Sequence, residues 1–313
     1  MRKLFCLLAI CLVAGCSKQG EGAGPLDAPP NPSPTPAATP PKKLLVLATI
    51  APMYCFTKNV AGDLADVEMI VPPGAPGGSF APSQGDIRKV MQADIVVENG
   101  FGFEGWMDRL EAQGLKPGAI RVIAARGTGP GIPGLPGDPD SPPGGGPPDL
   151  SGGAPDASGP PDPHVWLDPF MAIKEVQNIR DALMARDPAN ADQYLANENQ
   201  YEASLRDLDD EVGRMTVDIP KRRLLCVDET FTYYLSRYEF TVAGVLGAGN
   251  GKDAALPKAD GILAPSGADT ERLNGMALPI VIADPMESGP ASTDFYEKAT
   301  RANTEALREG LMR

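Results

Sequence analysis

The sequence predicts an α/β protein of two lobes with parallel sheets, bridged by one long rigid helix. Three observations support this fold class. Short apolar runs alternate with amphipathic helical segments between residues 42 and 126, an order typical of parallel sheets. Two successive helical segments follow. A second series of apolar strands then begins at RRLLCVDE.

The N-terminus has the features of an exported, lipid-anchored protein. Residues 1–15 have a basic start, an apolar core too short to span a membrane, and small residues before Cys16, which is typical of a secretory signal. The tetrapeptide VAGC is similar to a bacterial lipobox, in which Cys16 would carry the lipid; a chance cysteine after an ordinary signal is the alternative. Residues 16–41 are rich in Pro, Ala and Gly and predict an extended tether. We therefore expect an extracytoplasmic, membrane-anchored lipoprotein.

The N-terminal lobe is predicted over residues 42–165. Its apolar runs predict four strands, and its amphipathic runs predict three helices. The strand segments are KKLLVLATIAP, VEMIVPPG, ADIVVENG and IRVIAA, and the helical segments are the run ending at Gly62, DIRKVMQ and WMDRLEAQG. Residues 127–163 are mostly Gly, Pro, Asp and Ser. Because that composition buries little apolar surface, we expect a disordered surface loop there.

Linking helices are predicted over residues 166–216 and a C-terminal lobe over residues 217–313. Asp168 before Pro169 predicts a helix N-cap followed by a first-turn proline. We expect the helix over residues 170–186 to pack against both lobes. The C-terminal lobe has strand segments RRLLCVDE, GILAP and LPIVIADP, and a last amphipathic helix, FYEKATRANTEALREGLM.

The charge and the cysteines limit the function classes. The formal net charge is −13, which argues against nucleic acid as a partner and against electrostatic binding to anionic membranes. Once the signal is removed and Cys16 is lipidated, Cys55 and Cys226 remain. They are buried apolar side chains, one disulfide, or soft ligands near a site.

Polar residues that follow apolar strands are the candidates for binding chemistry. His164 is the only histidine, Asp228 and Glu229 follow LLCV, and Asp284 follows PIVIA. Ligands of open α/β sheets bind at the carboxyl ends of the strands. One imidazole and several carboxylates that converge there would bind a divalent cation. The alternatives are that His164 is a buried structural histidine, that Asp228 or Glu229 caps the helix TFTYYLSRY, and that Asp284 makes a turn before Pro285.

Enzymatic motifs are absent from the sequence. It has no Gly-rich phosphate loop, no serine nucleophile elbow, no paired cysteine motif and no second histidine. We therefore do not expect an enzyme. Metal-assisted hydrolysis through the same carboxylates would be the alternative.

Several motifs together resemble a known family. FAPSQGDI, ADIVVENGFGFEGWMDRL, DPHVWLDP, DETFTYY and IADPM are similar to segments of the zinc and manganese substrate-binding lipoproteins of bacterial ABC importers, which include the streptococcal adhesins. The resemblance covers residues 43–313 except the loop at 127–163. It implies a monomer of two lobes around a rigid helix, a metal ion bound in the cleft between them, and an ABC permease as partner.

The resemblance also implies a ligand set, with one departure. His164 matches the second family ligand, Asp228 and Glu229 the acidic residues at the third, and Asp284 the fourth. Gly78 stands where the family has its first ligand, a histidine. One nitrogen with several oxygens favours Mn or Fe(II) by ligand softness, although Zn competes by affinity. We expect His164 to lie in the cleft near Asp284 and near Asp228 or Glu229. The alternative is a diverged member that has lost the metal and binds another ligand or serves as a surface lipoprotein.

Overall fold

The structure, a computed structural model, describes residues 42–111, 114–128, 162–247, 257–273 and 275–312. The expected signal, the lipidated Cys16, the tether and most of the loop at 127–163 lie outside these residues. Within them, no helix combines the length and the apolar character that crossing a membrane requires.

The N-terminal lobe contains a four-stranded parallel sheet in the order β2-β1-β3-β4. Its strands were all predicted from apolar runs, and β3 is buried along its whole length. The elements are β1 (Leu44–Ala48), α1 (Ala51–Ala61), β2 (Ala65–Met69), α2 (Gln84–Val90), β3 (Ile95–Glu98), α3 (Met107–Glu111) and β4 (Ile120–Ile123).

Local sequence signals account for the ends of the helices in this lobe. Gly62 follows α1 with a φ of 54°, a conformation that costs glycine little. Ser83 and Asp86 form a capping box at the start of α2, so two amide groups of the first turn are satisfied.

Two helices follow the sequence DPHVWLDP. Val165–Leu167 form a short 3-10 turn, and α4 (Pro169–Arg186) begins directly after Asp168. The Asp168 carboxylate accepts the amides of Phe170 and Met171, which agrees with the predicted N-cap. A second 3-10 turn, Pro188–Asn190, leads into α5 (Ala191–Thr216).

The C-terminal lobe contains a second four-stranded parallel sheet, in the order β6-β5-β7-β8. Its elements are β5 (Arg223–Cys226), α6 (Thr232–Arg237), β6 (Thr241–Val245), β7 (Gly261–Pro265), a 3-10 turn (Glu271–Leu273), β8 (Ile280–Ala283) and α7 (Phe295–Leu311). β6 was not predicted from the sequence. This edge strand is partly exposed along its length and contains Gly244, so it lacks the continuous apolar run of a buried strand.

The long helix that links the lobes is α5, whereas residues 170–186, expected to pack against both lobes, lie mainly on the N-terminal lobe and meet the C-terminal lobe at their first turn. α5 contacts α1 on one side and α7 on the other, whereas α4 packs along β3, β4 and α1. Phe170, in the first turn of α4, lies under the Arg237 guanidinium of α6 at 4.6 Å from the ring centroid. The fold class is confirmed, with a long helix linking the two parallel-sheet lobes.

Aromatic side chains join the lobes where α1, α5 and α7 meet. The Phe56 ring centroid lies 4.9 Å from that of Tyr296 and 6.2 Å from that of Tyr201. All three side chains belong to one buried apolar cluster that includes residues of both sheets. The lobes therefore share a continuous core along the helices.

Candidate metal centre

The DPHVWLDP segment lies against the N-terminal lobe on one side. The Asn99 side-chain amide, just after β3, donates to the Pro163 carbonyl at 2.9 Å. The Phe103 ring packs edge-on against the rings of His164 and Trp166, with centroids at 5.9 and 5.0 Å. The histidine is therefore positioned by residues at the carboxyl end of the first sheet.

The same segment is bonded to the C-terminal lobe on its other side. The Trp166 indole N–H donates to the Pro285 carbonyl at 2.9 Å, and the Tyr296 hydroxyl donates to the Trp166 carbonyl at 2.7 Å. The Tyr233 hydroxyl donates to the Asp162 carbonyl at 3.2 Å. His164 thus lies at the junction between the lobes, as expected for a ligand in the cleft.

Two carboxylates face the two ring nitrogens of His164. Nδ1 lies 2.7 Å from Asp162 Oδ1, which also accepts the His164 backbone amide at 3.0 Å. Nε2 lies 3.8 Å from Glu287 Oε1, too far for a hydrogen bond. The bond at Nδ1 fixes the ring orientation and leaves Nε2 directed across the junction, which is the usual arrangement of a metal-binding histidine.

These contacts change the protonation of the imidazole. Burial acts to lower the pKa of His164, but the hydrogen bond to Asp162 and the carboxylate of Glu287 outweigh it and raise the pKa to about 9. The imidazole is therefore protonated at neutral pH in this conformation, and a metal ion that binds Nε2 must displace a proton.

Asp284 follows β8 at the same junction. Its backbone amide donates to Asn303 Oδ1 at 2.7 Å, and its own Oδ1 accepts the Met286 amide at 2.8 Å. Burial raises the pKa of Asp284, and the neighbouring Glu287 acts in the same direction. Asp284 makes the turn that the sequence offered as its structural alternative, and it also lies beside a carboxylate that faces His164.

Asp228 and Glu229 follow β5, and neither caps α6. Asp228 is partly buried and its Oδ1 accepts the Thr230 amide at 3.1 Å, whereas Glu229 is exposed. The N-cap of α6 is Phe231, with no side-chain cap bond. The capping role considered for the two acidic residues was wrong, and their part in metal binding remains a prediction.

Cys55 and Cys226 are free and buried, so the alternative of a disulfide between them was wrong. Burial, with the charges of Asp228 and Glu229, raises the pKa of Cys226 to about 12. Burial, with the charge of Glu297, likewise raises the pKa of Cys55 to about 12. Because metals bind the thiolate, both side chains have the character of buried apolar groups.

Gly78 lies beside the ring that packs on His164. A Cβ atom added to Gly78 would lie 3.3 Å from Phe103 Cε2 and 3.5 Å from the Phe103 carbonyl oxygen. The position expected to carry the first ligand therefore adjoins the junction, but this chain has no side chain there.

The acidic residues and His164 are not assembled into a complete metal site in this conformation. Among the residues with described coordinates, no three His, Cys, Asp or Glu side chains are grouped to hold an ion. Asp162 and Glu287, which face the histidine, were not predicted from the sequence. Asp162 stands in the DPH motif and could have been inferred from its spacing, whereas the position of Glu287 depends on a turn without a sequence signature.

Comparison with known proteins gives a family match over most of the described chain. The family described as zinc-uptake complex component A, periplasmic, matches residues 46–262. The high-affinity zinc uptake system protein ZnuA of Bacillus subtilis is 29% identical over 207 residues, which cover 63% of this chain and 59% of that protein. The iron-binding protein YfeA of Yersinia pestis is 32% identical over 201 residues, covering 64% and 58%.

A third relative is matched over a larger share of both chains. The metal ABC transporter substrate-binding lipoprotein SsaB of Streptococcus sanguinis is 28% identical over 238 residues, covering 74% of this chain and 66% of its own length. This chain thus spans about three fifths of the length of the first two relatives, ZnuA and YfeA.

Solved structures share the fold. A zinc-bound ZnuA with residues 138–173 of its own sequence deleted superposes with a TM-score of 0.68 at 20% identity, covering 87% of this chain and 99% of that one. FpvC from Pseudomonas aeruginosa in complex with Mn²⁺ gives 0.68 at 20% identity, covering 86% and 98%. At such identity the likeness shows the fold alone.

Proposed function

This chain belongs to the family of periplasmic zinc-uptake A components, and from this premise we propose that it is an extracytoplasmic receptor for a divalent metal ion. The ion would be Zn, Mn or Fe(II), bound between the lobes as transported cargo and delivered to an ABC permease. The family consists of solute-binding receptors, and we propose that this chain has no catalytic activity of its own.

The observation that carries the proposal is the setting of His164. Its ring lies at the lobe junction, Asp162 binds Nδ1, and Nε2 faces a carboxylate. A histidine with a merely structural role would satisfy both nitrogens by close hydrogen bonds, whereas Nε2 has a carboxylate at 3.8 Å.

The ligands that we propose from the sequence are His164, Asp228, Glu229 and Asp284. They comprise one nitrogen and several oxygens, which suits Mn or Fe(II) by ligand softness. Zn would still compete through its higher general affinity. Because the four side chains are not grouped in this conformation, binding through all of them would require a movement of the lobes.

The proposed setting in the cell follows from the N-terminal segment. Cleavage after residue 15 and lipidation of Cys16 would anchor a monomer to the outer face of a membrane. Cleavage would remove Arg2 and Lys3 and change the formal net charge from −13 to −15, which would keep such a protein off nucleic acids and anionic lipid surfaces.

A second function is favoured by Gly78 and by the incomplete grouping of ligands. A receptor of this fold that has lost the family metal would bind another ligand, or would serve as a surface lipoprotein. Such a protein would show no metal dependence of its stability.

The test is a metal titration of wild type and His164→Ala, both purified without a histidine tag. For the wild type, native mass spectrometry should detect one bound ion, and thermal unfolding should shift upward as Mn, Fe(II) or Zn is added. His164→Ala should lose this shift, while the exposed substitution Glu305→Ala should keep it. Equal ion content in wild type and His164→Ala would contradict the proposal.

A further inference from the structure

Glu287 lies across the lobe junction from His164, although neither the sequence pattern nor the proposed ligand set includes it. Its Oε1 stands 3.8 Å from His164 Nε2, and its side chain is 26% exposed. The opposite ring nitrogen is bound to Asp162. The only ring nitrogen that remains for a ligand is therefore directed at this carboxylate.

The turn that carries Glu287 is fixed by four hydrogen bonds. Asn303 of α7 accepts the Asp284 amide and donates to the Asp284 carbonyl at 2.7 and 2.8 Å. The Asp284 carboxylate accepts the Met286 amide at 2.8 Å, and the Trp166 indole donates to the Pro285 carbonyl at 2.9 Å. Asn303 is only 4% exposed, so the anchor is inside the protein.

The same turn contains a residue in an unfavourable conformation. Met286 has a φ of 61°, a left-handed conformation that residues with a side chain seldom adopt. Its side chain is 1% exposed. Strain of this kind persists where the surrounding structure fixes it, and it is concentrated at ligand sites. Here it directs the next residue, Glu287, towards His164.

The spacing of the two atoms suits an ion held between them. Nitrogen and oxygen ligands lie about 2.0–2.2 Å from Zn and about 2.0–2.1 Å from Mg, the small oxygen-preferring cation. At tetrahedral or octahedral angles, two such ligands are about 2.8–3.6 Å apart. The observed separation of 3.8 Å exceeds this range by a few tenths of an ångström, which a rotation of the Glu287 side chain removes.

We propose that Glu287 is the carboxylate of the C-terminal lobe that binds the divalent ion opposite His164 Nε2. The inference rests on the proposed function and adds a ligand to it. The ion takes the place of the direct attraction between imidazole and carboxylate, so that each lobe supplies a ligand without a large movement. Asp284, which belongs to the proposed ligand set, stands three residues earlier in the same turn.

The experiment compares Glu287→Gln with wild type by calorimetric titration of MnCl₂ and ZnCl₂, using the full chain without a histidine tag. Glu287→Gln keeps the shape and removes the charge, and we expect at least about a 100-fold loss of affinity, since even residues behind the ligands give 10–100-fold. Glu287→Asp should recover part of the loss. Glu305→Gln, an exposed charge removal on α7, should bind like wild type.

The outcomes separate this inference from the function on which it rests. If wild type binds neither ion, both fail. If wild type binds, His164→Ala does not, and Glu287→Gln binds like wild type, the assignment of Glu287 alone is overturned. In another outcome, Glu287→Gln without metal is less stable to heat than wild type, while it binds metal with unchanged affinity. That result would show that Glu287 forms a structural ion pair with His164, and it would also overturn the assignment. If Glu287→Gln fails to fold, Glu287→Asp is titrated in its place. Reduced affinity of Glu287→Asp would then support the proposal, and wild-type affinity would overturn it.

Discussion

Gly78 is the residue at which one added side chain should change the site most. Its added Cβ would meet Phe103 Cε2 at 3.3 Å, a contact that the ring can relieve by a shift of a few tenths of an ångström. We expect Gly78→His to raise metal affinity about tenfold or more, because another nitrogen ligand enters beside His164 and tenfold requires only about 1.4 kcal/mol. Titration with Mn and Zn measures the change.

The neighbouring position supplies the control for this substitution. Ser79 is exposed, so Ser79→His adds an imidazole to the same loop without directing it at the Phe103 ring. Equal gains for Gly78→His and Ser79→His would mean that the new histidines bind metal at the surface, and Gly78 would then have no special relation to His164.

For individual side chains, the sequence predicted which of them belong to the junction better than it predicted their contacts. His164 and Asp284 were found because each follows a predicted strand or stands in a recognisable motif. Glu287 was missed because its direction depends on the φ of Met286 and on the anchor from Asn303. Both features arise from tertiary structure and have no periodic signal.

Helix α4 carries a buried carboxyl group in an energetically unfavourable position. Glu175 is 0% exposed, and neither of its carboxyl oxygens has a hydrogen-bond partner among the described residues. Burial, together with the charge of Glu104, raises the pKa of Glu175 well above its ordinary value. Burial inside the N-terminal lobe thus favours the neutral form of this carboxyl group.

We predict that Glu175→Met stabilises the protein, and more so at higher pH. A raised folded-state pKa means that the Glu175 contribution is most favourable below the unfolded pKa of about 4.3 and declines as pH rises towards the folded pKa. Methionine does not titrate, so the gain should grow from pH 5 to pH 8 and reach about 1–3 kcal/mol, the cost of an unsatisfied buried polar group. Urea unfolding at both pH values measures it.

An exposed glutamate serves as the reference for this prediction. Glu305→Met on α7 should change the free energy of unfolding by less than about 0.5 kcal/mol at either pH. If Glu175→Met were less stable than wild type at pH 8, the carboxyl group would have to be part of a satisfied polar network.

Helices and strands were predicted correctly where their buried residues form a regular apolar pattern in the sequence. β1, β3 and β7 are short apolar runs, and α7 has an apolar face, so each was found from its pattern. β6 was missed because an edge strand is only partly covered. The choice between α4 and α5 as the helix that joins the lobes depends on packing, which two adjacent amphipathic segments do not reveal.

For the whole molecule, the insertion between the histidine motif and β4 gives a test of the domain interpretation. Its composition predicts no contribution to either core, and residues 129–161 lie outside the part that the structure describes. Deleting residues 130–158 should therefore change the free energy of unfolding by no more than about 1 kcal/mol, since loop closure depends only weakly on length. Chemical denaturation of the full and shortened chains measures this.

No deletion elsewhere in the chain gives a matched control for this experiment. The shortened chain should therefore also be titrated with metal. Unchanged affinity is expected, because His164 keeps its contacts with Asp162, Phe103 and Trp166. A loss of several kcal/mol in stability would show that the insertion packs against a lobe and that its prediction as a disordered loop was wrong.

The packing of α7 against α1 has a consequence for the order in which the chain acquires its structure. Cys55 of α1 donates to the Thr293 carbonyl just before α7, and Phe56 packs on Tyr296 inside α7. Because the ribosome synthesises the N-terminus first, the apolar face of α1 remains uncovered until α7 has been synthesised. Contacts so distant in sequence form slowly, and unfinished chains of this kind aggregate readily. The nascent protein thus depends on remaining unfolded, or on being shielded, until its final helix is complete.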